Sequence, residues 1–231
     1  MTLLRHRWEL VDPNPRAAHH HPYFHLLSFM RYWSQLRFVD INNCIICAHE
    51  SEEGDEEVEE EVTATSVGLF SGLAQLQQVR LQSGLGGSSY RHILSHLPPS
   101  VQVLTIDDST IYAYGKEYGS LGRSVTNVLL PVARQLTRLT ITDTPQPNQQ
   151  HRISTARGVY DHLVRSLVNV EELTISPCAL YNLAESLDGL SSLRALRLVQ
   201  GFGVCAPPFE PNELIQLLNK QSSISEVVVK L

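Results

Sequence analysis

One line of residues, repeated with variations, constrains this chain more than any other feature. Its clearest copy runs from Leu167 to Cys178, LVNVEELTISPC, in which Leu167, Val170, Leu173 and Ile175 are apolar and a small Cys178 closes the pattern. Written L-x-x-L-x-x-L-x-I-x-x-C, the line contains strict alternation at Leu173-Thr174-Ile175, the period of two that belongs to a β-strand. Leu173 and Ile175 are therefore expected to point into a core. Glu172, Thr174 and Ser176 are expected to point the other way.

The line returns along the chain. Taking its third apolar residue as an anchor, copies fall at Trp33–Cys44 (anchor Val39), Leu73–Gly84 (Val79), Leu97–Ser109 with one extra residue (Leu104) and Ala133–Thr144 (Leu139). The copy at Leu173 follows, then Leu190–Gly201 (Leu196) and Ser222–Lys230 (Val227), while Trp8-Glu9-Leu10 reads as a degenerate eighth. Successive anchors lie 40, 25, 35, 34, 23 and 31 residues apart by position. That irregularity implies insertions in some units. The predicted core anchors are Val39, Ile41, Val79, Leu81, Leu104, Ile106, Leu139, Ile141, Leu173, Ile175, Leu196, Leu198, Val227 and Val229.

A helix-like stretch precedes each strand: YFHLLSFMRYW, SVGLFSGLAQL, YRHILSHL, SVTNVLLPVARQL, TARGVYDHLVRSL, ALYNLAESLDGL and PNELIQLLNKQ. In the fifth, Val159, Leu163 and Leu167 recur every four residues with Tyr160 and Val164 beside them, which makes one apolar stripe. Strand–helix alternation joins parallel strands through right-handed crossovers. Units this short stack into a curved solenoid instead of a doubly wound sheet. No unit buries its apolar face alone, so stability comes from neighbours. The expectation is an α/β solenoid over residues 1–231, a single domain with strands on the concave face and helices on the convex one.

Composition excludes several classes. The chain is 42% apolar and 18% charged, which describes a folded chain. A net charge of −6 argues against broad adhesion to nucleic acid or membrane. No run of eighteen apolar residues occurs, and the N-terminal MTLLRHRWELVDPNP lacks the continuous apolar segment of a secretory signal. Cys44, Cys47, Cys178 and Cys205 have no disulfide-framework spacing, so a reduced cytoplasmic or nuclear setting is expected. His49 to Val62, HESEEGDEEVEEEV, falls in the longest spacing and cannot bury enough apolar surface to order itself. It reads as an acidic loop insertion at about 49–62, a spacer or, alternatively, a docking segment for a basic partner. YAYGKEY (112–118) and TPQPNQQH (144–151) are the other insertions, and long loops often carry binding residues.

Residue patterns for chemistry are sparse. Cys44-Ile45-Ile46-Cys47-Ala48-His49, with His19, His20, His21 and His25 upstream, invites a zinc reading. A second cysteine pair is missing, however, and Cys44 occupies the same repeat position as Cys178, so packing in the turn accounts for it. The chain contains no G-x-S-x-G elbow, P-loop, dinucleotide glycine fingerprint or H-E-x-x-H. Gly84 to Ser89 is glycine-rich without a lysine and reads as a turn. Asp107 and Asp108 are adjacent and so point to opposite faces of a strand. The chain is read as a non-enzyme with no cofactor and no metal.

With the repeats laid out, the chain resembles the ribonuclease-inhibitor-like and cysteine-containing leucine-rich repeats. These are common in F-box proteins and above all in the fungal set with irregular repeats. The resemblance covers nearly the whole chain and rests on LTRLTITDT, VEELTISPC and LRALRLVQG, each after an amphipathic stretch. It implies a protein-interaction module, with substrate recognition for a cullin (SCF-type) ubiquitin ligase as one role and a free-standing scaffold as the other. The F-box pattern itself, a Leu-Pro followed by an apolar helical hairpin, has no counterpart in the N-terminal stretch, and Leu97-Pro98 lies inside a repeat.

If the anchors face the core, the alternate residues form columns across the concave face. Thr105, Thr140 and Thr174 make a neutral ladder, which packs well between strands and gives little specificity. Around it stand Asp40, Arg80, Asp107, Arg138, Glu172 and Arg197, the candidate binding residues for a protein or peptide partner. Arginine dominates interface energies, which favours Arg80, Arg138 and Arg197. A solvated sheet face explains the same polar cover. The stretch from Val227 to Leu231 is expected to leave a strand edge open to pairing with another chain.

Overall fold

The computed structural model describes residues 34–42, 73–82, 94, 97–107, 129–142, 158, 160–177, 180–199 and 210–230. Within these, the side chains of residues 41, 42, 82 and 107 are not described. Each clear repeat yields one strand: β1 (Phe38–Asn42), β2 (Gln78–Gln82), β3 (Val103–Asp107), β4 (Arg138–Thr142), β5 (Glu172–Ile175), β6 (Ala195–Val199) and β7 (Glu226–Lys230). All seven lie in one sheet in sequence order, and every neighbouring pair is parallel. The pairing places anchor against anchor: Val39 on Val79, then Leu104, Leu139, Leu173, Leu196 and Val227.

The motif has a direct backbone meaning. Its L-x-x-L opening is one tight turn closed by an i to i−3 hydrogen bond. Leu76 N–H donates to Leu73 O at 2.9 Å, Val170 to Leu167 at 3.2 Å, and Leu193 to Leu190 at 3.0 Å. A turn of that pitch brings its first and fourth residues onto one side. Leu73, Leu76, Leu167, Val170, Leu190 and Leu193 are accordingly all buried. The chain then extends, and the next two apolar residues enter the same core from a strand. The extra residue of the third unit is absorbed in the turn, where Val101 N–H donates to Pro98 O at 3.1 Å while Leu97 stays buried.

Registration between units is set by one recurring device. The carbonyl just before a strand accepts two successive N–H groups from the next unit. Arg37 O takes Gln77 and Gln78, Gln77 O takes Gln102 and Val103, and the pattern continues through Gln102, Thr137, Glu171 and Arg194. Thr137 Oγ1 (3.3 Å) and Ser225 Oγ (3.2 Å) add side-chain donors to two of these carbonyls. A one-residue slip would lose every bond in this row and turn the apolar set to solvent.

Among the described residues, helices fill the return path ahead of the last four strands. Residues 129–133 are helical ahead of β4, and α1 (Asp161–Arg165), α2 (Leu183–Ser186) and α3 (Pro211–Lys220) precede β5, β6 and β7. The apolar stripe expected in the fifth stretch is present at Tyr160, Leu163, Val164 and Leu167, all fully buried. Val159 lies outside the described residues, as do the acidic insertion at 49–62, Cys44, Cys47, Cys178, Cys205, the histidines from 19 to 25, and the loops at 112–118 and 144–151. Helices α1 and α2 are shorter than the sequence pattern suggests. A helix of four or five residues has little stability of its own, and packing holds it.

Two expectations are corrected at the margins of the pattern. Val227 and Val229 keep their register opposite Leu196 and Leu198, yet Val227 is half-buried and Val229 is 38% exposed. Among the described residues β7 has a neighbouring strand on one side only, so one flank of each side chain lacks packing partners. Ser176, expected on the outward face, is 3% exposed. Strand β5 ends at Ile175, and alternation has no force beyond the last extended residue. The described residues form an α/β repeat array of seven parallel strands in sequence order, the architecture of a leucine-rich-repeat solenoid.

Candidate functional site

The face of the sheet turned away from the core runs unbroken across all seven strands. Its middle column reads Asp40, Arg80, Thr105, Thr140, Thr174, Arg197 and Val228, each opposite the next in register. The threonine ladder expected from the sequence is therefore real, with Thr105, Thr140 and Thr174 half-buried on adjacent strands. Threonine suits this position, because its branched Cβ packs along a pleated surface while its hydroxyl stays wet.

Register also decides what the charged residues do. Arg80 and Asp40 are directly opposite, with Arg80 Nη1 3.9 Å from Asp40 Oδ2. Arg138 and Glu172 are likewise opposite and joined by a hydrogen bond from Arg138 Nη2 to Glu172 Oε1. Arg197 reaches diagonally to β7, where its Nη2 donates to Glu226 Oε1 at 3.3 Å. All three arginines expected from the sequence thus stand beside a carboxylate. Two of those carboxylates, Asp40 and Glu172, belong to the candidate set. The third, Glu226, lies outside it. Its signal is nonetheless in the sequence, since Glu226 shares the first strand position with Arg138 and Glu172.

The structure brings Asp40, Arg80, Arg138, Glu172 and Arg197 onto one face without gathering them into one pocket. Asp40 and Arg80 sit across β1 and β2, Arg138 and Glu172 across β4 and β5, and Arg197 with Glu226 across β6 and β7. Asp107 takes its place on β3 opposite Gln82 and Thr142. The ion pairs are exposed, with roughly a third to a half of each side chain open to water. Pairs of this kind contribute about 0–1 kcal/mol each, because water and salt screen them. They orient the arginines across the sheet at little net gain in stability.

Among the described residues, no group of three or more His, Cys, Asp or Glu side chains converges as a metal site would require. No helix among them is long and apolar enough to cross a membrane. The cysteines and histidines weighed for zinc lie outside these residues.

No family model matches the chain, and no curated protein matches it in sequence. Among solved structures it is similar to the crystal structure of the leucine-rich repeat-containing protein LegL7 from Legionella pneumophila. That similarity has 12% identity and a TM-score of 0.42, and covers 72% of this chain and 51% of that one. The chain spans about half the length of that protein. The fold assignment accordingly stands on the chain's own motif and on seven parallel strands in sequence order, the architecture of a leucine-rich-repeat solenoid.

Proposed function

We propose that this protein is an interaction module whose open sheet face receives an extended segment of a protein partner. One observation carries the reading: a continuous seven-stranded face with a neutral threonine ladder, flanked on both sides by arginine–carboxylate pairs. The ladder offers hydroxyls without a net field. The paired arginines offer planar donors already held in position, so less side-chain freedom is lost on binding. Across the strands, Arg80, Arg138, Arg197 and Lys230 are matched by Asp40, Asp107, Glu172 and Glu226, four charges of each sign. A balanced face suits a protein segment of mixed charge and not a polyanion.

Arg80→Ala, Arg138→Ala and Arg197→Ala together test the reading. Wild-type protein should retain a discrete set of partners from lysate, by mass spectrometry, that the triple variant loses while its circular dichroism is unchanged. Equal recovery by a folded triple variant would remove the face from consideration. Substrate recognition for a cullin ubiquitin ligase is the narrower form of this proposal, supported by the resemblance of the repeats to those of F-box proteins. Co-purification of the cullin adaptor with the chain separates it from a free-standing scaffold.

A further inference from the structure

A second surface lies in the layer of helices, apart from the sheet. Leu130 and Pro131 of the helical segment 129–133, Arg134 just after it, and Arg165, Ser166 and Val168 at the end of α1 line an open groove of about 560 Å³. That volume is within the range of about 300–1,000 Å³ typical of sites that hold a ligand. Val168 is 46% exposed, a large apolar side chain left uncovered beside Leu130 and Pro131.

The two arginines differ from those of the sheet. Among the described residues neither Arg134 nor Arg165 has an ion pair, whereas Arg80, Arg138 and Arg197 each face a carboxylate. An arginine late in a helix commonly serves the unpaired carbonyls of the last turn. Here several carbonyls in and just after the two helical segments are already served by other donors. His162 O accepts from Ser166 Oγ at 3.0 Å, Arg134 O from Asn169 Nδ2 at 2.6 Å, and Val168 O from Ser192 Oγ at 3.2 Å. Leu163 O and Val164 O accept backbone N–H groups from Ser166 and Leu167. Each guanidinium keeps a fork of donors for an acceptor from outside. Among the described residues that line it, the groove has two cations and no carboxylate, on a chain whose net charge is −6.

We propose that this groove is a second binding site, taking an acidic segment of a partner protein in which an aliphatic residue is flanked by carboxylates. The carboxylates meet Arg134 and Arg165, and the aliphatic side chain covers Val168 and Leu130. Apolar surface in the same groove as the cations selects a peptide over a bare anion, because a phosphate or nucleic-acid backbone has nothing to place there. The site is independent of the open face.

The test uses the full chain and a fluorescein-labelled peptide with a central leucine between glutamates, followed by anisotropy. Saturable binding is expected, weakening as added salt shortens the Debye length below about 8 Å. Arg134→Glu with Arg165→Glu should weaken it on the order of tenfold or more, as reversing charges at a contact pair does. Lys220→Glu on α3 should leave it unchanged. Val168→Asp gives a second variant at an exposed position, expected to weaken binding with no change in the thermal midpoint. Replacing the peptide's leucine by glycine should weaken binding, and replacing its glutamates by lysines should abolish it. The proposal is overturned if the acidic peptide does not bind saturably, or if the double charge reversal leaves its affinity unchanged. Equal binding of oligothymidine with the same arginine dependence would also overturn it, in favour of a general polyanion site. The altered residues differ from those of the open face, so failure here leaves that reading standing.

Discussion

Leu198 and Val229 are partners in register, yet one is 1% exposed and the other 38%. The same motif position therefore has two energetic values, and the difference comes from neighbours. Leu198→Ala, like Leu173→Ala, should destabilise by about 2–5 kcal/mol, the range for emptying a packed site that relaxes only in part. Val229→Ala should stay within about 0.5 kcal/mol, as exposed substitutions do. Urea titration of the three variants checks this, and a large cost at Val229 would mean that another surface covers β7. Gln221 makes a related point. It occupies the slot filled by Leu167 and Leu190 in earlier units, is buried, and donates through Nε2 to Leu187 O. A polar side chain is tolerated in an apolar column when its donor finds a carbonyl.

At the scale of elements, the short helices are held by carboxylates from adjoining units. Asp161 at the start of α1 accepts from Ser186 Oγ at 2.6 Å and from Tyr181 N–H at 3.1 Å. Glu213 of α3 accepts from Leu183 N–H, the first residue of α2, at 2.9 Å. Asn182 caps the same helix by accepting from Glu185 N–H at 3.0 Å. Helix starts leave N–H groups unpaired, and these side chains satisfy them. Gly158 enters α1 at φ +79°, where an added Cβ would approach Asp161 Oδ2 to 3.0 Å, so glycine there protects the junction. Asp161→Ala strands the hydroxyl of Ser186, which is 1% exposed, and should cost about 1–3 kcal/mol. Adding Ser186→Ala to that variant should recover part of the loss in a denaturant cycle. Strictly additive costs would show that the two side chains do not act together.

For the whole molecule, stability follows from stacking. Each interior strand is held from two sides, while β7 has β6 on one side and no further strand among the described residues. Repeat arrays open from weakly supported units, because each interface adds to what its neighbours supply. Native-state hydrogen exchange should therefore find the amides of β4 to β6 best protected, with those of β7 exchanging at least about tenfold faster. Uniform protection across the sheet would show that β7 is covered in solution.

The sequence alone determined the repeat, the strand positions and the direction of nearly every core side chain. Val79, Leu81, Leu104, Ile106, Leu139, Ile141, Leu173, Ile175, Leu196 and Leu198 are all buried as the motif requires. A period of two cannot be satisfied by any other element, and a line repeated along the chain repeats its solution. Those facts are local, which is why they are legible. What the charged residues touch was not legible in the same way. Arg138 and Glu172 are 34 positions apart, and only the register between β4 and β5 makes them a pair. The groove at Arg134 and Arg165 depends further on how the helical segment at 129–133 and α1 lie side by side. Side-chain pairing and surface shape are sums over neighbours distant in sequence, so the tertiary structure decided them.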